Sequence, residues 1–106
     1  MARKILGQAA PGATAEAVLY TVPVGTQTTV SSLVICNRDI NGATFNISCS
    51  VGGASTVSKD YLYYNLSISG GDTFVATIGG TFAANDVIRV YATTANLSFT
   101  AFGDES

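Results

Sequence analysis

A chain of 106 residues with net charge −2, no histidine and 11% charged side chains can hold one domain with one core. Its five basic residues are too few and scattered to track nucleic-acid phosphates, and no apolar run nears the roughly 20 residues of a membrane-spanning helix. Ordinary domains are about 25% charged, so a surface this poor in charge is expected to lie partly against other protein.

Residues 1–15 come first, with Arg3 and Lys4, the apolar pair Ile5–Leu6, then a run rich in Ala, Gly and Thr around Pro11. No apolar stretch of secretory-signal length follows the basic pair, and no period-two alternation is visible, so the segment is read as an extended N-terminal arm. The domain proper is then 16–106. Within it, segments dense in Val, Ile, Thr, Tyr and Phe predict strands at 16–21, 27–37, 43–51, 59–68, 73–78, 86–93 and 96–102. Turn-forming stretches separate them: "VPVGT", "NRDING", "VGGAS", "SGGD", "IGGTFAAND" and "TTAN". No segment has helical periodicity. The expected fold is all-β, an antiparallel, jelly-roll-like sandwich.

Alternation assigns the faces. Phe45, Ile47, Cys49 and Val51 form one apolar row in 43–51, and Leu62, Tyr64, Leu66 and Ile68 form another in 59–68. Phe74, Ala76 and Ile78, then Ile88, Val90 and Ala92, then Leu97, Phe99 and Ala101 complete the predicted core. Treating 27–37 and 43–51 as a hairpin sets Ile35 opposite Phe45 and Leu33 opposite Ile47, which adds Leu33 and Ile35. Val34 and Cys36 then face outward, as do Tyr61 and Tyr63. Those four are the expected oligomer interface, with cross-strand packing on a partly covered sheet as the alternative. The same register sets Cys36 and Cys49 on opposite faces, so no disulfide is expected.

Without histidine, the nucleophilic triads and the commonest metal ligand are missing. The acids fall mainly in turns and at strand ends. "DING" (39–42) lacks the further ligands of a calcium loop, and the glycine pairs open no helix that could cradle phosphate. Asn46, Asn65 and Asn96 each begin an Asn-x-Ser triplet and are expected to face outward. No enzymatic activity, cofactor, metal or small-molecule substrate is expected.

Taken in order, "KILGQAAP", "LYTVPVGT", "SSLVICNR", "YLYYNLSI", "DTFVATIGGTF", "DVIRVYA" and "LSFTAFG" resemble a family of small virion proteins of tailed bacteriophages, including those of cyanobacteria. The likeness runs from Lys4 to Gly103. It implies a non-enzymatic β-sandwich on the capsid exterior, made in the host cytoplasm: a cement (decoration) protein bound to the major capsid protein, expected as a homotrimer. A tail- or fibre-associated protein that recognises a host-surface glycan is the alternative, and a carbohydrate-binding or adhesin domain outside any virus is a third. Fifteen extended residues reach roughly 50 Å, well beyond a core of about 12 Å radius of gyration. The arm is therefore expected to dock on a neighbour, with Ile5 and Leu6 in an apolar groove and Arg3 and Lys4 on acids. An ordinary frayed terminus is the alternative.

Overall fold

A computed structural model describes residues 2–106. Eight strands follow one another: β1 (Ala2–Ala9), β2 (Ala15–Thr21), β3 (Thr28–Asn37), β4 (Ala43–Ser50), β5 (Tyr61–Ile68), β6 (Thr73–Phe82), β7 (Val87–Ala92) and β8 (Leu97–Glu105). Single 3-10 turns at Val51–Gly53 and Ser58–Asp60 lie between β4 and β5. The antiparallel pairings are nested, β4 with β5, β3 with β6, β2 with β7 and β1 with β8. The chain is thus one long hairpin rolled up, with successive rungs falling in opposite sheets, β1-β8-β3-β6 and β2-β7-β4-β5. That order is a jelly roll, and the all-β sandwich expected from the sequence is the observed architecture.

Each strand buries one row between the sheets. Leu33, Ile35, Phe45, Ile47, Ile88, Val90, Leu97 and Phe99 are all at most 1% exposed, so most of the predicted core is the core. At its centre Phe45 meets Phe74 and Phe99 at ring-centroid distances of 5.9 and 6.0 Å, and Tyr63 closes on Phe74 at 5.7 Å. Such tilted and edge-to-face contacts suit the ring quadrupoles.

Three expectations are corrected. The first is the arm. Residues 2–9 are an edge strand, with Arg3 opposite Asp104 and Ile5 opposite Phe102. Between Ile5 and Gly7 the register slips, leaving Leu6 as an extra residue. A bulge of this kind breaks the alternation, which is why β1 does not read as a strand. Leu6 packs against the core. Gly7 is required where β1 closes on β2, because a Cβ there would overlap the Leu19 carbonyl oxygen. β1 is therefore part of the domain, whose boundary does not fall at residue 16.

The second concerns pairing. β3 and β4 lie in different sheets, so Ile35 is opposite Phe74 and Phe99, while Phe45 is opposite Leu66 and Ala92. The 38–42 segment crosses the sandwich instead of turning back. Asn37, buried at the crossing, donates from Nδ2 to the carbonyls of Asn41 (2.9 Å) and Ser69 (3.2 Å), and its Oδ1 accepts from the Asp39 amide (3.0 Å). The inward assignment of Leu33 and Ile35 survives because a residue's face depends on its own strand's alternation, not on its partner.

The third is the facing of β5. Register breaks flank the Tyr63–Ile47 pair, and Asn65 adopts a left-handed φ of 51°. The Asn65 amide donates to Asn46 Oδ1 at 2.8 Å, fixing the bulge. N-terminal to it the alternation inverts. Tyr63 turns inward onto Phe74, whereas Leu62 and Tyr64, expected in the core, are 40% and 63% exposed. Val51, also expected inside, is exposed because β4 ends at Ser50. Asn46, expected on the surface, is buried beneath the bulge it holds.

Candidate functional site

The predicted docking residues fall on the β1–β8 corner, and the fold itself uses most of them. Lys4 Nζ pairs with Glu105 Oε1 at 2.8 Å and Arg3 Nε lies 3.5 Å from Asp104 Oδ1, a buried oxygen that accepts no hydrogen bond. The Tyr20 hydroxyl donates to Glu105 Oε2 and shares a 2.8 Å hydrogen bond with the Thr28 hydroxyl. With Leu6 packed inward, Ile5 is the apolar member of the four that stays open, 52% exposed beside Phe102. A shallow groove of about 590 Å³ runs here, bordered by Arg3, Ile5, Ser31, Phe102 and Asp104.

This corner makes stability depend on pH. The Lys4 ammonium first, then the Tyr20 hydroxyl, hold the Glu105 carboxyl below its ordinary pKa, while burial and then the bond to Glu105 push Tyr20 up. A carboxyl lowered on folding stabilises fully above its unfolded pKa of about 4.3. That contribution disappears as the pH falls through the lower folded value. Asp39, lowered by the Asn96 side chain and by the Asn41 and Ile40 amides, acts with the same sign. Glu105→Gln is expected to flatten the acid side of the stability–pH profile below about pH 5, where the unfolded carboxyl begins to take up protons. Urea titrations across that range check it, and parallel profiles would refute the role of Glu105.

The four expected interface residues do not form one surface. Val34 and Cys36 are half-buried on the outer face of the first sheet, opposite Val75 and Thr73 of β6. Tyr61 belongs to the other sheet, and Tyr63 packs against the core rather than at an interface. Cys36 and Cys49 are both free, on strands of different sheets; burial first, then Asp60 and Asp86, push the Cys49 thiol up.

Tyr61 instead meets Tyr64 edge-to-face at 4.8 Å, and these rings with Thr56, Val57 and Ser58 line an open cleft of about 540 Å³. The cleft wall is the 51–60 connection. Arg89 holds that connection, donating to Ser50 Oγ (3.0 Å), the Ala54 carbonyl (2.8 Å) and Thr56 Oγ1 (3.3 Å). Asp60 braces its end by accepting from the Val57 amide at 2.9 Å. Arg89 is thereby committed to the fold.

Charge is distributed unevenly over the molecule. From Tyr61 to Asn85 the sequence holds one charged residue, Asp72, and it sits in the turn between β5 and β6. The edge of the sandwich formed by those two strands is therefore free of charged side chains along its length, flanked by Leu62 and Tyr64 exposed on the outer face of one sheet and by Val75 exposed on that of the other. Low charge is visible in the sequence, whereas simple alternation places Leu62 and Tyr64 inside and gives Val75 no special standing. The consecutive aromatics before Asn65 are the available signal, since a single alternation cannot bury both.

Among the described residues no three His, Cys, Asp or Glu side chains gather as a metal site, and no helix is long and apolar enough to cross a membrane. Fold and surface together define a jelly-roll sandwich whose most distinctive region is an uncharged side. No family model, curated protein or solved structure matches the chain.

Proposed function

We propose that this chain is a structural protein of a tailed-phage particle, a capsid cement protein that binds the major capsid protein and copies of itself. The uncharged β5–β6 side carries the reading. Water is displaced from such a surface without stripping ions of their hydration, the main cost of burying charged groups. Aromatic and apolar residues such as Tyr64 and Leu62 on one flank of that edge and Val75 on the other, all exposed, are the types that anchor interfaces. Contacts repeated over a lattice stabilise the assembled shell by mass action. The β1–β8 corner supplies a smaller second contact around Ile5 and Phe102.

The Tyr61–Tyr64 cleft favours a second reading, a tail-associated module that stacks a neutral sugar on its rings beside the hydroxyls of Thr56 and Ser58. Copy number separates the two. Quantitative mass spectrometry of purified particles should find the chain at copy numbers comparable to the major capsid protein; a handful per particle would support the tail, and absence from particles would overturn both.

A further inference from the structure

Four strands end the two sheets: β1 and β6 in one, β2 and β5 in the other. An end strand offers a row of unpaired N–H and C=O groups, and proteins that must stay apart guard such rows with charge, bulges or cover. β1 carries Arg3 and Lys4, and β2 carries the exposed Glu16. β5 is interrupted by two register breaks and by Asn65 in its left-handed conformation. β6, "TFVATIGGTF", has no charged residue and no proline, and its Thr73–Thr77 stretch is regular against Ser32–Cys36, the register breaking only beyond it at Ile78–Gly79, where Gly79 has a φ of 63°. Of the four edges among the described residues, it alone offers a regular, uncharged stretch as long as five residues.

We infer that β6 is a self-association edge, pairing antiparallel with β6 of a second copy so that the β1-β8-β3-β6 sheet continues across a twofold axis. This deepens the cement reading by naming how copies of the chain meet. The occupant follows from the pattern of the strand. With Val75 opposite its own counterpart in the second copy, Thr73 meets Thr77 and Phe74 meets Ala76 across the axis. On the outer face, the row Thr100–Val34–Val75 is extended by its own mirror order, bringing β-branched side chains together, a favourable cross-strand combination. On the inner face, half-buried Phe74 is set against a small residue and gains cover. No like charges meet. A threefold ring, the symmetry expected from the sequence, requires β6 to meet a different edge, and the other edges are charged or have only shorter regular stretches. A twofold pairing needs only β6.

An edge contact of this length is small, so the association belongs at the weak end, in roughly the micromolar range. The test is sedimentation equilibrium of the full chain from about 5 to 500 µM, comparing the native protein with Val75→Lys and Val75→Thr. Val75 is 56% exposed on the outer face, so both variants keep the core. The native protein and Val75→Thr should reach the mass of a dimer, whereas Val75→Lys, with two ammonium groups face to face, should dimerise at least tenfold more weakly. A native protein that stays monomeric or forms a trimer would overturn the twofold edge, and so would unchanged dimerisation of Val75→Lys. Amide exchange gives a second readout without mutation, since protection of Thr73–Thr77 should rise with protein concentration, and its failure to do so also refutes the pairing. Particle copy number is measured separately, so loss of the cement reading leaves this result standing and the reverse.

Discussion

Deleting residues 1–9 is expected to remove most of the domain's stability. A domain of this size has a net stability of about 5–15 kcal/mol, and the deletion acts on several parts of it together. It removes the whole β1–β8 ladder, the Leu6 side chain packed on the core and the two ion pairs to Asp104 and Glu105. It also turns β8 into an edge, opening one flank of the buried row Leu97, Phe99 and Ala101. Half-buried Leu6 alone accounts for about 1 kcal/mol, roughly half of what full burial of a leucine contributes. Urea unfolding at 25 °C should show either no cooperative transition or a loss above about 3 kcal/mol. A docking arm predicts the reverse, a change within about 0.5 kcal/mol. Ile5→Ser supplies the control, because Ile5 points outward and its loss should stay within about 0.5 kcal/mol.

That contrast shows where the sequence can be read and where it cannot. β4, β7 and β8 alternate without interruption through their inward rows, and their core residues are legible one by one. The other five strands each contain a bulge: β1 at Leu6, β2 at Leu19, β3 at Ser31, β5 around Tyr64–Asn65 and β6 at Ile78–Gly79. One extra residue shifts every side chain beyond it to the other face. Leu19 and Tyr20 are consecutive and both belong to the core cluster, which a strict period of two would place on opposite faces. Partner choice is illegible for a different reason. Alternation states which face a residue takes and says nothing about which strand lies beside it. The 38–42 segment is short enough for a hairpin, yet Asn37 and Asp39 shape it into a crossing between sheets.

The surfaces follow the same logic. Low charge in the sequence marks a molecule with uncharged surface, but only the topology collects that surface on one side by setting β5 and β6 at adjacent ends of the two sheets. Tyr63 and Tyr64 exchange roles because of Asn65, a residue type that enters left-handed backbone more readily than most. Arg3 and Lys4 look available in the sequence because their partners, Asp104 and Glu105, lie at the far end of the chain.

Phe45→Ala should be the most damaging single substitution in the core. Phe45 is 0% exposed, lies opposite Leu66 and Ala92 in its own sheet, and reaches Phe74 and Phe99 of the facing sheet. Its ring is therefore a contact that ties the two sheets together, and the neighbours on both sides are held by hydrogen-bonded ladders that limit how far they can collapse. A buried Phe→Ala change costs about 3–5 kcal/mol from lost transfer energy and the residual cavity, and the upper half of that range is expected here because two aromatic contacts are lost with it. Phe45→Leu keeps much of the volume and should cost less than half as much. The chain has no tryptophan, so far-UV circular dichroism against urea is the appropriate signal. A loss below about 1 kcal/mol for Phe45→Ala, the average effect of an arbitrary substitution, would mean that the sheets are held together elsewhere. The expected alternative is a midpoint shift large enough to leave the variant partly unfolded at 37 °C, with Phe45→Leu between it and the parent.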